Sequence, residues 1–268
     1  MDKKYIRNHF TNTAKVWQEK IYKSKDKQGK YEYYDKQYRF DYVVNMIPDT
    51  SALDHRALDM GCGAGQLLPV LVKKGYQVYG IDVSQKMIDI SQKICNEFEI
   101  KADLQLGDCE DLIFSSKSFY LYVAMGVIEY LDDDIPMLQE IERILSPGGV
   151  GIITLRNIKS VHVRWRHYYR KYIQYNIMNT LKLILGKKTV RYKIISREHN
   201  PEKFKKLLNQ FNFEIVDEKY AHFHIFPEPF NRWFSIFEAI LGKIMEKKFS
   251  NGQLPFMAST YIVKFKRV

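Results

Sequence analysis

Between Ala57 and Leu155 short apolar runs alternate with amphipathic stretches, and this alternation limits the fold more than any other feature of the chain. ALDM leads into a glycine loop and QLLPVLVKKG; VYGIDVS is followed by KMIDISQKICNEF; LQLGD, FYLYVAMGV and a helix ending in ILSPGG precede VGIITL. Apolar runs of strand length separated by helical stretches build βαβ units, which implies a parallel sheet covered by helices. Pro147-Gly148-Gly149 cannot continue a helix and turns the chain into the next strand.

The flanking regions are less regular. Residues 5–47 place Val16, Trp17, Ile21, Tyr31, Tyr34, Tyr38, Tyr42, Val43 and Met46 at mixed three- and four-residue steps, which reads as helix. A basic, aromatic stretch follows Arg156. Then come a helix in PEKFKKLLNQF, a strand in FEIVDEKY, a second insertion, and a last strand in ASTYIVKFKRV with Tyr261, Val263 and Phe265 alternating. The expected architecture is a doubly wound, Rossmann-like α/β fold with a mostly parallel seven-stranded sheet. Residues 1–50 form a helical cover and 51–268 one domain. Insertions at about 158–198 and 221–257 make a cap over the substrate.

Charge is unevenly placed. The chain carries a formal +11, yet residues 156–206 hold 15 Lys or Arg against Glu198 and Glu202, so the remainder is slightly acidic. That segment reads as a solvated face or as a contact for an anionic substrate, acidic lipid or RNA. The stripe of Phe230, Trp233, Phe234, Phe237, Ile240, Leu241 and Ile244 is read most simply as core packing. Substrate lid, homodimer face and peripheral membrane helix through 230–247 stay open beside it. Cys62, Cys95 and Cys109 form no CxxC pair, which argues against a disulfide framework and a zinc site and fits a reducing cytoplasm. The start MDKKYIRNHF lacks the apolar stretch of a signal peptide.

Gly61, Gly63 and Gly65 fall between an apolar strand and a helix, where backbone can approach a ligand closely. Asp82 ends the next strand 17 residues beyond Gly65, placed to accept hydrogen bonds from ribose hydroxyls. Both features also suit NAD. Gly107-Asp108 after the third strand supplies an acceptor at the position of an adenine amino group, and this separates the two readings.

ALDMGCGAG, YGIDVS, LQLGDCEDL, VAMGVIEYL and ILSPGG, in this order, resemble the successive motifs of class I S-adenosylmethionine (SAM)-dependent methyltransferases. The resemblance implies SAM as cofactor. It sets Asp59, Gly61, Cys62, Gly63 and Gly65 around the methionine portion, Asp82 on the ribose, Val83 and Met87 on the adenine face, and Asp108 with the Cys109 backbone on its edge. Met125 and Gly126 would line the cleft near the sulfonium. FTNTAKVWQEKIY and YYDKQYRFDYVVNMI are similar to the lead-in of the small-molecule branch that includes ubiquinone-type O-methyltransferases, which makes Arg39 a candidate for the methionine carboxylate. The chain departs from that subgroup at Gly126 and Tyr130, where Glu and His are usual, and no metal is expected.

An O-methyltransferase acting on a small or amphipathic acceptor is the leading expectation: a sugar, polyketide, quinone precursor or lipid-linked intermediate. A hydroxyl acceptor gains from a base, and the candidates are His162 or His224, with His222 nearby, while Glu129 and Tyr130 could orient the acceptor. RNA methylation through RWRHYYRKY is the weaker alternative. A catalytically silent SAM-fold scaffold is the third.

Overall fold

Seven strands form one sheet in the order β3-β2-β1-β4-β5-β7-β6. They are β1 (Arg56–Met60), β2 (Gln77–Asp82), β3 (Ala102–Leu106), β4 (Phe119–Met125), β5 (Leu145–Arg156), β6 (Phe213–Phe223) and β7 (Ala258–Arg267). The computed structural model describes residues 3–17, 31–52, 54–186 and 196–268. Ile21, part of the expected N-terminal helical pattern, and residues 187–195 of the basic insertion lie outside the described residues.

β1 to β5 pair in parallel, as alternation with helices requires. β7 does not close an edge. It enters between β5 and β6 and runs antiparallel to both, so β6 is the outer strand. Alternation along β7 tells which face Tyr261, Val263 and Phe265 share but not which neighbours the strand takes.

One face of the sheet packs on α2 (Tyr31–Met46), α3 (Leu68–Lys73) and α4 (Gln85–Glu97), through Val43, Leu68, Leu71 and Cys95 against Leu121, Val123 and Ile262. The other packs on α5 (Ile135–Ile144) and α8 (Pro201–Leu208), where Met137, Ile141 and Phe204 meet Tyr122, Ile153 and Val263. Both faces are therefore apolar, which explains the near-continuous apolar runs of the central strands. α1 (Lys3–Trp17) lies against α4.

Two insertions follow β5 and β6, strands that point the same way because each is antiparallel to β7. The first contains α6 (Val161–Tyr168), a π-helical turn (Tyr169–Gln174) and α7 (Tyr175–Ile184); the second contains α9 (Phe230–Trp233) and α10 (Ser235–Phe249). The apolar stripe of α9 and α10 is not core: Trp233 is 72% exposed and Phe237 61%. The buried side of α10 consists of Glu238, Ala239, Gly242 and Glu246. Helical periodicity located a face correctly, but that face is turned outward because the two carboxylates on the opposite side bond to buried backbone.

Gly151 of β5 sits beneath the Phe265 ring of β7, so closely that a Cβ there would run into it. Gly151→Ala should cost about 1–3 kcal/mol by overpacking. In a Phe265→Ala background, where the ring is gone, urea denaturation should give a much smaller cost for the same substitution.

Candidate active site

A cleft of about 310 Å³ opens at the carboxyl ends of β1, β2, β4 and β5, the end at which open α/β sheets bind ligands. Its floor begins where β1 stops. Gly61 takes a left-handed backbone (φ 69°), and a Cβ there would lie 2.5 Å from Val127, so only glycine fits. The Gly61 and Cys62 N–H groups donate back to the Ile81 carbonyl of β2 at 2.7 and 3.0 Å, folding the loop across the strand end.

Asp82 holds the next part of the loop. One carboxylate oxygen accepts from the Gly63 N–H at 3.0 Å and the other from the Ser84 N–H at 2.9 Å. Burial nevertheless raises its pKa to about 6 against the pull of these N–H groups. Asp59, fully buried beside it, is raised to about 7, first by burial and then by the Asp82 charge. Two desolvated carboxylates facing one cleft make a site that gains from a bound cationic group, which would favour ionisation of both.

Farther along, Asp108 accepts from the Glu110 N–H at 3.1 Å and from Lys3 of α1 at 2.7 Å, while Lys3 also pairs with Glu110. These acids hold the Lys3 ammonium well above its usual pKa. Burial pushes the Cys109 thiol up, which keeps it protonated in the cleft wall. Val83 and Met87 line the cleft between Asp82 and α4, and Met87 packs with Phe10 and Ala14 of α1. α1 is further tied down by a Thr11–Ser84 hydroxyl pair at 3.1 Å and by the Phe10 ring, edge-on to Tyr130 at 5.1 Å.

At the end of β4, Met125 and Gly126 reach the cleft; Gly126 has φ 72° and donates to Thr154 Oγ1 at 3.0 Å. A Cβ on Gly126 would stand 3.3 Å from the Arg39 guanidinium and 3.5 Å from Glu129 Oε1, so these three residues share one corner. Glu129 lies in a 3-10 turn (Ile128–Tyr130), its side chain only 6% exposed, with Oε1 4.0 Å from Arg156 Nε. Its Oε2 has no hydrogen-bond partner among the described residues. Tyr130 is raised in pKa by burial and then by Glu129.

Of the residues singled out in the sequence, Arg39, Asp59, Gly61, Cys62, Gly63, Asp82, Val83, Met87, Asp108, Cys109, Met125, Gly126, Glu129 and Tyr130 line this one cleft. Gly65 does not; its left-handed turn packs against Leu68 and Ser91. His162 and His224 do not line it either. Their rings stack on each other at 3.7 Å, His224 bonds Ser259 at 3.0 Å, and burial followed by the His224 neighbour lowers His162 to about 3. His222 is the histidine in the cleft wall. Strand alternation would send residues 222 and 224 to one side, but His222 has a left-handed backbone (φ 61°), with its N–H on Glu246 and Nδ1 2.9 Å from Thr260 Oγ1.

Lys3, Arg7, Arg156, Arg166 and Thr260 also line the cleft and were not singled out in the sequence. The signal for the arginines was the basic segment itself. Nothing local marked Lys3 and Arg7, because their position depends on how α1 docks.

Residues 58–153 match the methyltransferase domain family. The chain is also similar to ubiquinone biosynthesis O-methyltransferases. The one from Coxiella burnetii is 30% identical over 92 residues, covering 34% of this chain and 39% of the relative. The one from Xanthomonas campestris pv. campestris is 28% identical over 120 residues, covering 44% and 49%. The chain thus spans less than half the length of these relatives. Over the whole chain the fold is similar to that of the magnesium protoporphyrin IX methyltransferase of Synechocystis with bound SAH, at a TM-score of 0.62, 16% identity and full coverage of both chains.

Asp59 also provides a test of the electrostatics. A carboxyl whose folded pKa lies above its unfolded value makes the folded state hold a proton longer, so stability falls as pH rises from about 4 to about 7 and then levels. The melting midpoint of the wild type should fall more between about pH 5 and pH 7.5 than that of Asp59→Asn. The gap should be a few degrees, since 1 kcal/mol moves the midpoint of a chain this size by about 2–4 °C.

Proposed function

We propose that this chain, with its class I SAM-dependent methyltransferase fold and a methyltransferase domain over residues 58–153, is a SAM-dependent methyltransferase that methylates a hydroxyl of a small or amphipathic acceptor. The observation that carries this reading is the pair of buried acids, Asp59 and Asp82, beside the left-handed Gly61 loop at the strand ends. An NAD site would use a similar loop and ribose acid, and the match of residues 58–153 to the methyltransferase domain family favours SAM over it.

In this reading Asp82 receives the ribose hydroxyls, Asp59 and the Gly61–Gly63 backbone surround the methionine portion, and Arg39 receives its carboxylate. Val83 and Met87 cover the adenine, and Asp108 with the Cys109 backbone meets its edge. When bound, SAM supplies a methyl group already activated by positive sulfur, so the chain has mainly to align an oxygen nucleophile and exclude water. α1 with Phe10, resting on Tyr130, supplies the exclusion. Glu129 lies beside Gly126, and its unpartnered Oε2 is suited to accept the hydrogen of the acceptor hydroxyl and draw off its proton. His222 is the second candidate for that proton, in preference to His162 and His224, which are engaged in their own stack. Arg156 and Arg166 suit an acceptor bearing an acidic group.

Calorimetric titration with SAM and S-adenosylhomocysteine tests the cofactor half of this reading. The wild type should bind both, and Asp82→Ala should weaken binding roughly tenfold or more, about 1.4 kcal/mol; no binding by the wild type, or undiminished binding by the variant, would overturn the assignment. Above about pH 7 Asp59 is already ionised, so SAM binding should be tighter at about pH 8 than at about pH 6 and should release fewer protons there.

The chemical half is tested by transfer of labelled methyl to a panel of hydroxylated amphiphiles. Glu129→Gln should lower turnover on an accepted compound by roughly a hundredfold while leaving S-adenosylhomocysteine affinity within about twofold. A parallel loss of both would make Glu129 a part of the cofactor site instead.

A further inference from the structure

The two insertions are bonded to each other. Trp165 of α6 donates its indole N–H to the Glu228 carbonyl at 2.7 Å, and Arg170 grips the Glu228 carboxylate through Nε at 3.1 Å and Nη2 at 2.9 Å. This fastens the first insertion to the loop that enters α9.

Along α10 the usual polarity of a surface helix is reversed. The Glu238 carboxylate accepts from the Ile225 and Phe226 N–H groups at 3.2 and 2.9 Å, and Glu246 accepts from those of His222 and Phe223. Buried backbone donors left without partners would be costly, and these acids fix which side of the helix is inward. Ile236, Phe237, Ile240 and Ile244 are consequently exposed, alongside Trp233 of α9. α7 adds Ile177, Leu181 and Ile184, the last 74% exposed. Large apolar side chains exposed in such number on two bonded insertions mark a contact site.

Charge selects the kind of contact. Residues 157–197 contain no Asp or Glu, and Glu238 and Glu246, the only acids between residues 230 and 249, are both turned inward. What α10 exposes is its apolar side chains with Lys247 and Lys248 as a cationic rim at its last turn, and the first insertion exposes Lys171. We propose that this face docks on an anionic lipid bilayer, with the α9–α10 rings and aliphatic side chains in the headgroup boundary and the lysines against lipid phosphates. A second copy of the chain would bring two cationic rims together without a counter-charge, and a nucleic acid would gain nothing from Ile236, Ile240 and Ile184. No described helix is long and apolar enough to cross a membrane, which agrees with a contact lying along the surface. Arg166 sits next to Trp165 and lines the cleft, so docking would bring an amphiphile held in the bilayer close to the site. The contact does not depend on the methyl-transfer reading, and failure of either leaves the other standing.

Co-sedimentation with vesicles tests it, using equal parts phosphatidylglycerol and phosphatidylcholine against phosphatidylcholine alone. The wild type should partition onto the anionic vesicles and lose much of that binding in high salt. Phe237→Glu/Ile240→Glu, at exposed positions, should lower the partition coefficient roughly tenfold or more with an unchanged melting midpoint, and Lys247→Glu/Lys248→Glu should reduce the preference for anionic lipid. No binding of the wild type to anionic vesicles would overturn the proposal, as would binding that Phe237→Glu/Ile240→Glu leaves intact. A wild-type dimer in sedimentation equilibrium that the same variant converts to monomer would overturn it in favour of self-association.

Discussion

The Asp82 carboxylate joins two loops that the sequence separates by a helix. By accepting from Gly63 on one side and Ser84 on the other, it fixes the turn after β1 against the turn after β2. The cleft depends on that junction. Gly61 folds back onto Ile81 while Asp82 holds Gly63 down, and Asp59, next to last in β1, lines the cleft beside them. The cost is a carboxylate kept from water, visible in a pKa raised despite two N–H donors. A cationic ligand offsets this cost, and local strain of this kind is a common mark of a binding site.

The elements built from local signals were legible in the sequence. Strands buried on both faces announce themselves as apolar runs, and glycines between strand and helix mark a ligand loop wherever the chain falls. From ALDM to VGIITL both the element order and nearly every expected cleft residue follow from such signals. Gly65 differs because its left-handed turn serves packing against Ser91 instead of lining the cavity.

Long-range choices were not legible. The alternation in β7 carries no information about its entry between β5 and β6; the contact of Phe265 with Gly151 that accommodates this neighbour pairs residues more than a hundred positions apart. The three histidines of the insertions look equivalent in sequence. One left-handed residue, His222, separates the ring in the cleft wall from the two stacked away from it. Lys3 and Arg7 reach the cleft through the docking of α1, which rests on contacts such as Thr11 with Ser84 and Phe10 with Tyr130.

α10 shows why a hydrophobic pattern locates a face without telling which way it points. Periodicity is symmetric between a helix that buries its apolar side and one that presents it, and burial is the usual outcome because water disfavours exposed apolar area. Here the inward side is set by Glu238 and Glu246, each accepting from backbone N–H groups near the end of β6. Ala239 and Gly242 allow close approach between those two acids, Gly242 lying against the Phe223 carbonyl. Reversing the helix would bury the rings but expel two carboxylates from the backbone donors they satisfy, leaving those donors unpaired. The apolar side therefore remains outward on the insertion that follows β6, while the insertion that follows β5 brings Arg166 to the cleft beside His222 of β6.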